Sequence, residues 1–267
     1  MSAIRRAPIR IAALALSLGL AACGDDDGGS SKSAPAVQVV GAEYAFAMPD
    51  QVEGGMTRMD FVNTGKEVHE YGLGRFERGK TLADLDKVLA RGGEPPEWVD
   101  DIGGVPALTP GDRISITRRL RPGTYGFVCF IPGPNGKPHY ELGMKTQFTV
   151  AGDSGAASPD ADGVVVAGDK KMEVPTVSAG RQTLELRNAA VEPREFNLLT
   201  LDPGKTRRDA GRWFNGGFKG EPPLKFLGAM QSIAPGTSVF LTADFESGRT
   251  YEFADEENEL RARVTVK

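Results

Sequence analysis

Four side chains in this chain of 267 residues have the types and the order needed to hold one metal ion: His69, Cys129, His139 and Met144. The last three lie on one segment, Tyr125 to Met144. Nine residues separate the cysteine from its histidine, and four separate that histidine from the methionine. A thiolate and two imidazoles with a weak thioether form a trigonal His₂Cys site with an axial sulfur, the donor set suited to copper electron transfer. Sulfur favours Cu(I) and nitrogen favours Cu(II), so an intermediate geometry lets the ion change valence with little ligand movement. The second imidazole has to be His69, because the chain contains only two histidines.

Taken singly, each residue has a blander reading. A lone histidine is commonly a hydrogen-bonded residue, a lone cysteine a small hydrophobe, and a methionine packing. Met48, Met56, Met59, Met172 and Met230 are read as packing. The four together resist that reading, since both histidines and the one cysteine beyond the N-terminal region would have to fall into ligand order by accident.

Over residues 37 to 150 the sequence resembles the cupredoxins, the blue (type 1) copper proteins. Their pattern is an upstream histidine, then cysteine, histidine and methionine, and His139-Tyr140-Glu141-Leu142-Gly143-Met144 keeps the last spacing. The resemblance implies a Greek-key β-sandwich holding one type 1 copper on His69, Cys129, His139 and Met144, and single-electron transfer as its work. Two features depart from the pattern. The Cys129 to His139 interval exceeds the plastocyanin-like or azurin-like loop and is nearer the long loop in the type 1 domain of copper nitrite reductases. Glu70 follows His69 where many cupredoxins carry an Asn that ties the ligand loops together.

The elements that must position these residues read as short strands bounded by Gly and Pro: Val37 to Val40, Glu43 to Met48, Thr57 to Val62, Ile114 to Leu120, Thr124 to Phe130 and Lys145 to Val150. One helix is predicted over Leu82 to Arg91, with Thr81 as N-cap, an acidic residue three places on, and Gly92-Gly93 as its stop. The chain also repeats itself. Asn63-Thr64-Gly65-Lys66-Glu67-Val68-His69 lies over Asn188-Ala189-Ala190-Val191-Glu192-Pro193-Arg194, and Pro110-Gly111 lies over Pro235-Gly236. In the second copy Arg194 replaces His69, an aspartate near Asp255 replaces Cys129, and the ligand loop is shortened. That copy is expected to bind no copper, and its Arg- and Gly-rich stretch from Arg207 to Gly220 is a poor candidate for a helix.

The expected fold class is all-β: two tandem cupredoxin-like Greek-key sandwiches, the first with a short helical insertion. The expected organisation is a signal peptide over 1–22, a flexible tether over 23–36, a copper domain over 37–150, a linker over 151–163 and a degenerate domain over 164–267.

The N-terminus reads as an export address. Arg5, Arg6 and Arg10 precede an apolar run from Ile11 to Leu20, which is too short to span a bilayer. Leu20-Ala21-Ala22-Cys23 resembles the lipobox of bacterial lipoproteins, which implies lipidation of Cys23 and an extracytoplasmic, membrane-anchored protein. Residues 24 to 33 offer nothing apolar to bury and read as a solvated tether. Once Cys23 carries lipid, Cys129 has no disulfide partner. A lone thiol in an oxidising compartment needs an occupant, and a metal ion supplies one.

The formal net charge is −4, with 32 basic against 36 acidic residues. No basic surface of the kind that neutralises a phosphate backbone is expected, so nucleic acid is excluded as a partner. The expected partners are a redox protein, or a copper donor or acceptor, and the membrane through the lipid. His139 is expected to protrude through an apolar rim of Ile131, Pro132, Pro134, Pro138 and Leu142, with Glu70, Asp100, Asp101 and Glu141 available to steer a basic partner. The alternatives are a copper carrier or store without redox duty, and a metal-free surface binding module. An enzyme is not expected, because a catalytic copper needs further histidines and the chain has none to spare. A hydrolase using Cys129 with a histidine is a poor match to a thiol set beside a methionine and two imidazoles.

Overall fold

The computed structural model describes residues 32–216 and 220–267. The predicted signal peptide, the predicted lipidation site Cys23 and most of the predicted tether lie outside the described residues. In chain order the first nine strands are β1 (Ala36–Ala42), β2 (Ala45–Ala47), β3 (Gln51–Glu53), β4 (Gly55–Asn63), β5 (His69–Phe76), β6 (Val99–Leu108), β7 (Arg113–Leu120), β8 (Gly123–Val128) and β9 (Lys145–Ala151). Eight more follow: β10 (Gly163–Ala167), β11 (Met172–Glu173), β12 (Gly180–Asn188), β13 (Arg194–Leu201), β14 (Leu224–Ile233), β15 (Ser238–Phe245), β16 (Thr250–Asp255) and β17 (Leu260–Thr265). Helix α1 (Leu82–Leu89) joins β5 to β6, and α2 (Arg207–Asn215) joins β13 to β14.

These strands form two facing sheets, and each sheet runs through both halves of the chain. One has the order β11-β10-β12-β15-β7-β4-β1-β2, the other β17-β16-β13-β14-β6-β5-β8-β9-β3. The halves join where Phe240, Leu241 and Thr242 of β15 pair antiparallel with Thr117, Ile116 and Ser115 of β7, and where Leu227 of β14 meets Leu108 of β6. Alternation along the strands sends Val37 and Val39, Met59 and Phe61, and Tyr71 and Leu73 inward. One continuous core holds these with Phe127, Phe148, Leu186, Phe196 and Phe253. Each such side chain contributes about 1.5–3 kcal/mol by leaving water.

The strand expectations hold for β1, β4, β7, β8 and β9. Glu43 to Met48 shortens to the three residues of β2. Strands β5 and β6, which carry His69 and its neighbours, were not predicted. Each is interrupted by glycine and paired with register shifts near Tyr71 and Gly74, which blurs the period-two signal. The segment predicted as a linker is tied down: Ser154 N–H donates to Gly54 O at 2.9 Å, and Ser154 and Ala156 are buried.

Helix α1 starts as expected at Thr81, whose N–H and hydroxyl both donate to Asp84 Oδ2, at 3.2 and 2.8 Å. Such a cap contributes about 1 kcal/mol. Its Leu85 and Leu89 pack on Phe76 and on Val128, the residue before Cys129. Helix α2 forms where none was expected. Thr206 makes the same two bonds to Asp209 Oδ2, at 2.8 and 2.6 Å, so the cap motif outweighs the poor helix propensity of the glycines that follow. The helix buries Ala210 and Trp213 against Leu199 and Phe226, and Val68 and Ala107 of the first half pack against the same cluster.

Candidate metal centre

Three chain segments deliver the predicted ligands to one end of the first half of the chain. His69 opens β5, and its place is set by Asn63 at the end of β4. Asn63 Nδ2 donates to Glu67 O and to Leu108 O, each at 2.8 Å, while Oδ1 accepts the Gly65 N–H at 2.9 Å. Cys129 follows β8 directly. Its N–H donates to Met144 O at 3.1 Å and its O accepts from Tyr140 N–H at 2.9 Å. His139 begins a 3₁₀ turn over His139–Leu142, its N–H donating to Ile131 O and its O accepting from Met144 N–H, both at 2.9 Å. Two further bonds, Gly133 N–H to Lys137 O and Gly136 N–H to Gly133 O, each 2.8 Å, close the long loop on itself.

These restraints bring three of the four predicted ligands together. His69 Nδ1 lies 3.1 Å from His139 Nδ1, and Cys129 Sγ lies 3.4 Å from His139 Nδ1. All three donor atoms fall within 4.8 Å of one another, and all three residues are fully buried. A transition ion about 2.0–2.3 Å from each of three coplanar donors separates them by roughly 3.5 Å, so the observed set fits such an ion. Met144 is equally buried and packs against Cys129 and Ile131, with Tyr44, Phe46, Val68 and Ala107 around them.

The far edges of both imidazoles face carboxylates that sequence reasoning missed. His139 Nε2 donates to Glu67 Oε2 at 2.9 Å, and His69 Nε2 lies 3.3 Å from Glu43 Oε1 without hydrogen-bond alignment. A proton on His139 Nε2 leaves the Nδ1 lone pair free to face a metal. Tyr44 donates its hydroxyl to Glu67 Oε1 at 3.0 Å, and its ring lies 4.9 Å from the His139 ring. The signal was faint. Glu67 stands two places before His69, but acidic residues in turns are usually solvated.

Burial sets the protonation of the cluster. It pushes His69 down to about 4, helped by the neighbouring His139, and it lowers His139 against the opposing pull of Glu67. It raises the Cys129 thiol to about 12, with Glu70 adding to the rise. Without a bound ion these shifts leave two neutral imidazoles and a thiol at neutral pH.

One expectation about this end of the molecule is corrected. His139 does not protrude through an apolar rim: it is fully buried, because Tyr44 and Glu67 cover its outer edge. Glu70 is half-buried, and its carboxylate accepts the Phe130 N–H at 2.9 Å, tying the His69 strand to the cysteine loop; desolvation raises its pKa to about 7.

No family model and no curated protein matches the chain. Solved structures do. A dithionite-reduced auracyanin from Roseiflexus castenholzii is 25% identical over 45% of this chain and 99% of its own, with a TM-score of 0.31. Auracyanin B is 26% identical over 46% of this chain and 92% of its own, with a TM-score of 0.32. The copper nitrite reductase of Nitrosomonas europaea is 10% identical over 88% of this chain and 94% of its own, with a TM-score of 0.26. The fold is a cupredoxin-like β-sandwich.

The expectation that the chain is not an enzyme is also corrected. Besides the nitrite reductase, the matches spanning most of the chain include a multicopper oxidase, over 90%, and Lac15 from a marine microbial metagenome, over 88%. The histidine count behind that expectation limits the ligands one chain can offer.

Proposed function

We propose that the chain holds one type 1 copper ion on His69, Cys129, His139 and Met144, and passes single electrons between protein partners. The supporting observation is the convergence of two Nδ1 atoms and one Sγ in a fully buried pocket, with the outer nitrogen of His139 engaged by a carboxylate. A copper ion on these donors would supply a one-electron couple. The chain's own residues do the rest. The closed loop from Cys129 to Met144 and the Asn63 bonds hold the donors in place whatever the charge at their centre, and burial keeps water away from the thiolate. The purified full-length chain titrated with Cu(II) should develop an intense visible thiolate-to-copper band at one ion per chain. A colourless copper complex would overturn the reading.

The repeat is read as two tandem copies, the second without ligands. It supports the first from the side, since the cluster around Trp213 packs on Val68, next to His69. Cys23 is read as lipidated, anchoring the protein on the extracytoplasmic side of a bacterial membrane. The motif Leu20-Ala21-Ala22-Cys23 supports this, and among the described residues no helix is long and apolar enough to cross a membrane. Incorporation of a labelled fatty acid that Cys23→Ala abolishes is the expected result, and a soluble wild-type product would refute the anchor.

A further inference from the structure

We infer that Glu67, with the charge of Glu43 beside it, is a positioning residue for the metal centre: it holds His139 in the Nε2–H tautomer and biases the bound ion toward its higher charge state. This rests on the copper reading above.

The geometry is specific. His139 is fully buried, so its Nε2–H has no water to turn to, and the 2.9 Å contact with Glu67 Oε2 is its partner. The carboxylate is held in turn. Tyr44 donates to its other oxygen, Asn63 Nδ2 grips the Glu67 carbonyl, and the Glu67 N–H donates to Glu43 Oε1 at 2.9 Å, as the Lys66 N–H also does. A carboxylate so restrained keeps its charge at the ring edge instead of swinging out to solvent.

The second half supplies an independent observation. Strand pairing places Asp169 where the first half has Glu43, since Val40 lies opposite Val62 and Val166 opposite Arg187, three residues before each acid. Val191 N–H donates to Asp169 Oδ1 at 3.0 Å, as Lys66 N–H does to Glu43. At the His69 position stands Arg194, whose Nη2 lies 3.8 Å from Asp169 Oδ1. Both halves thus aim a carboxylate at the same place. One half fills that place with a guanidinium, the other with an imidazole that would share the charge of a bound ion. Negative charge at the outer edge of the ligands stabilises the more positive ion, because Coulomb energy scales with its charge.

The test uses the full-length chain in two variants. Glu67→Gln removes the charge but leaves an amide oxygen to accept the Nε2–H. It should retain the visible band and the tautomer while its midpoint potential rises. Glu67→Leu removes both, and Cu(II) affinity should fall about 10–100-fold, the usual cost of losing such a partner. The tautomer is read without metal, from ¹⁵N shifts of the two histidines in the apo protein, where wild type and Glu67→Gln should show His139 protonated on Nε2 and Glu67→Leu a mixture. A Glu67→Gln potential equal to or below wild type overturns the charge bias. A Glu67→Leu protein with unchanged tautomer and affinity overturns the positioning role. If wild type binds copper without a thiolate band, the copper reading falls, and the apo tautomer still decides the role of Glu67.

Discussion

Arg194 meets Asp255 in the second half at the places His69 and Cys129 take in the first, its Nε 3.9 Å from Oδ2 with both side chains buried. The correspondence follows from pairing. Gly72 lies opposite Val128 and Asn197 opposite Ala254, so the next residues, Cys129 and Asp255, are equivalent. Asn188 repeats the bonds of Asn63, its Nδ2 donating to Glu192 O and Ile233 O at 2.8 Å each. The frame of the site therefore survives, with a fixed guanidinium and carboxylate in place of donors for an ion.

An uncompensated buried charge is costly, so Arg194→Leu should destabilise the protein by about 3–5 kcal/mol in denaturant unfolding. The estimate sits toward its lower end because Asn258 Nδ2 also donates to both Asp255 oxygens, at 3.0 Å each. The double variant Arg194→Leu/Asp255→Leu should recover most of the loss, since a well-packed apolar pair can replace a buried ion pair. Copper loading should stay as in wild type. A single variant as stable as the parent would mean that the pair is not coupled.

Cys129→Ser should abolish the visible band, because the hydroxyl is a hard donor that does not replace a thiolate. Met144→Leu conserves volume in a fully buried place and should cost less than about 1.5 kcal/mol. It should leave a copper-loaded, coloured protein with a changed midpoint potential, since a weak axial donor tunes the couple and does not hold the ion. Electronic spectra and a redox titration of both variants check this, and an intact band in Cys129→Ser would remove the sulfur from the site.

The His69–Cys129–His139 cluster was legible because its chemistry is rare in this chain: two histidines and one thiol beyond the N-terminal region leave little freedom of assignment. The Asn63 and Asn188 turns were legible because each begins an aligned run, and their bonds prove identical. Glu43, Glu67 and Tyr44 were not. Acids and a tyrosine are common near turns, and only the closure of β1 against β4 brings Glu43 and Tyr44 across to the 65–69 loop. The burial of His139 was missed for the same reason, since the residues covering it come from distant segments. Helix α2 was hidden by its glycines, although its Thr206 to Asp209 spacing repeats Thr81 to Asp84.

Gly65 marks a close approach that a side chain would block. A Cβ built there would fall 2.7 Å from His69 Nε2 and would also collide with Glu43 Oε1. Gly65→Ala should therefore push the imidazole or the carboxylate aside and lower metal affinity about 10–100-fold, as loss of an outer partner does, with a smaller effect on unfolding. Competition with a chelator measures the first and denaturant titration the second. Unchanged affinity would show that the loop yields without moving His69.

Metal loading should release protons with a definite pH dependence. Burial and Glu70 hold the Cys129 thiol near 12 in the apo protein, whereas the ion takes a thiolate, so binding at neutral pH must expel that proton. The imidazoles release none there, because His69 is already lowered to about 4 and His139 is also lowered. Affinity should thus rise about tenfold per pH unit through neutrality, since one proton competes with each ion. Below about pH 4 the slope should steepen, as His69 then has to shed a proton as well. Calorimetric titrations with Cu(II) in buffers of different ionisation enthalpy count the protons directly. A count near zero at pH 7 would mean that the thiol is already ionised in the apo protein, or that it does not reach the ion.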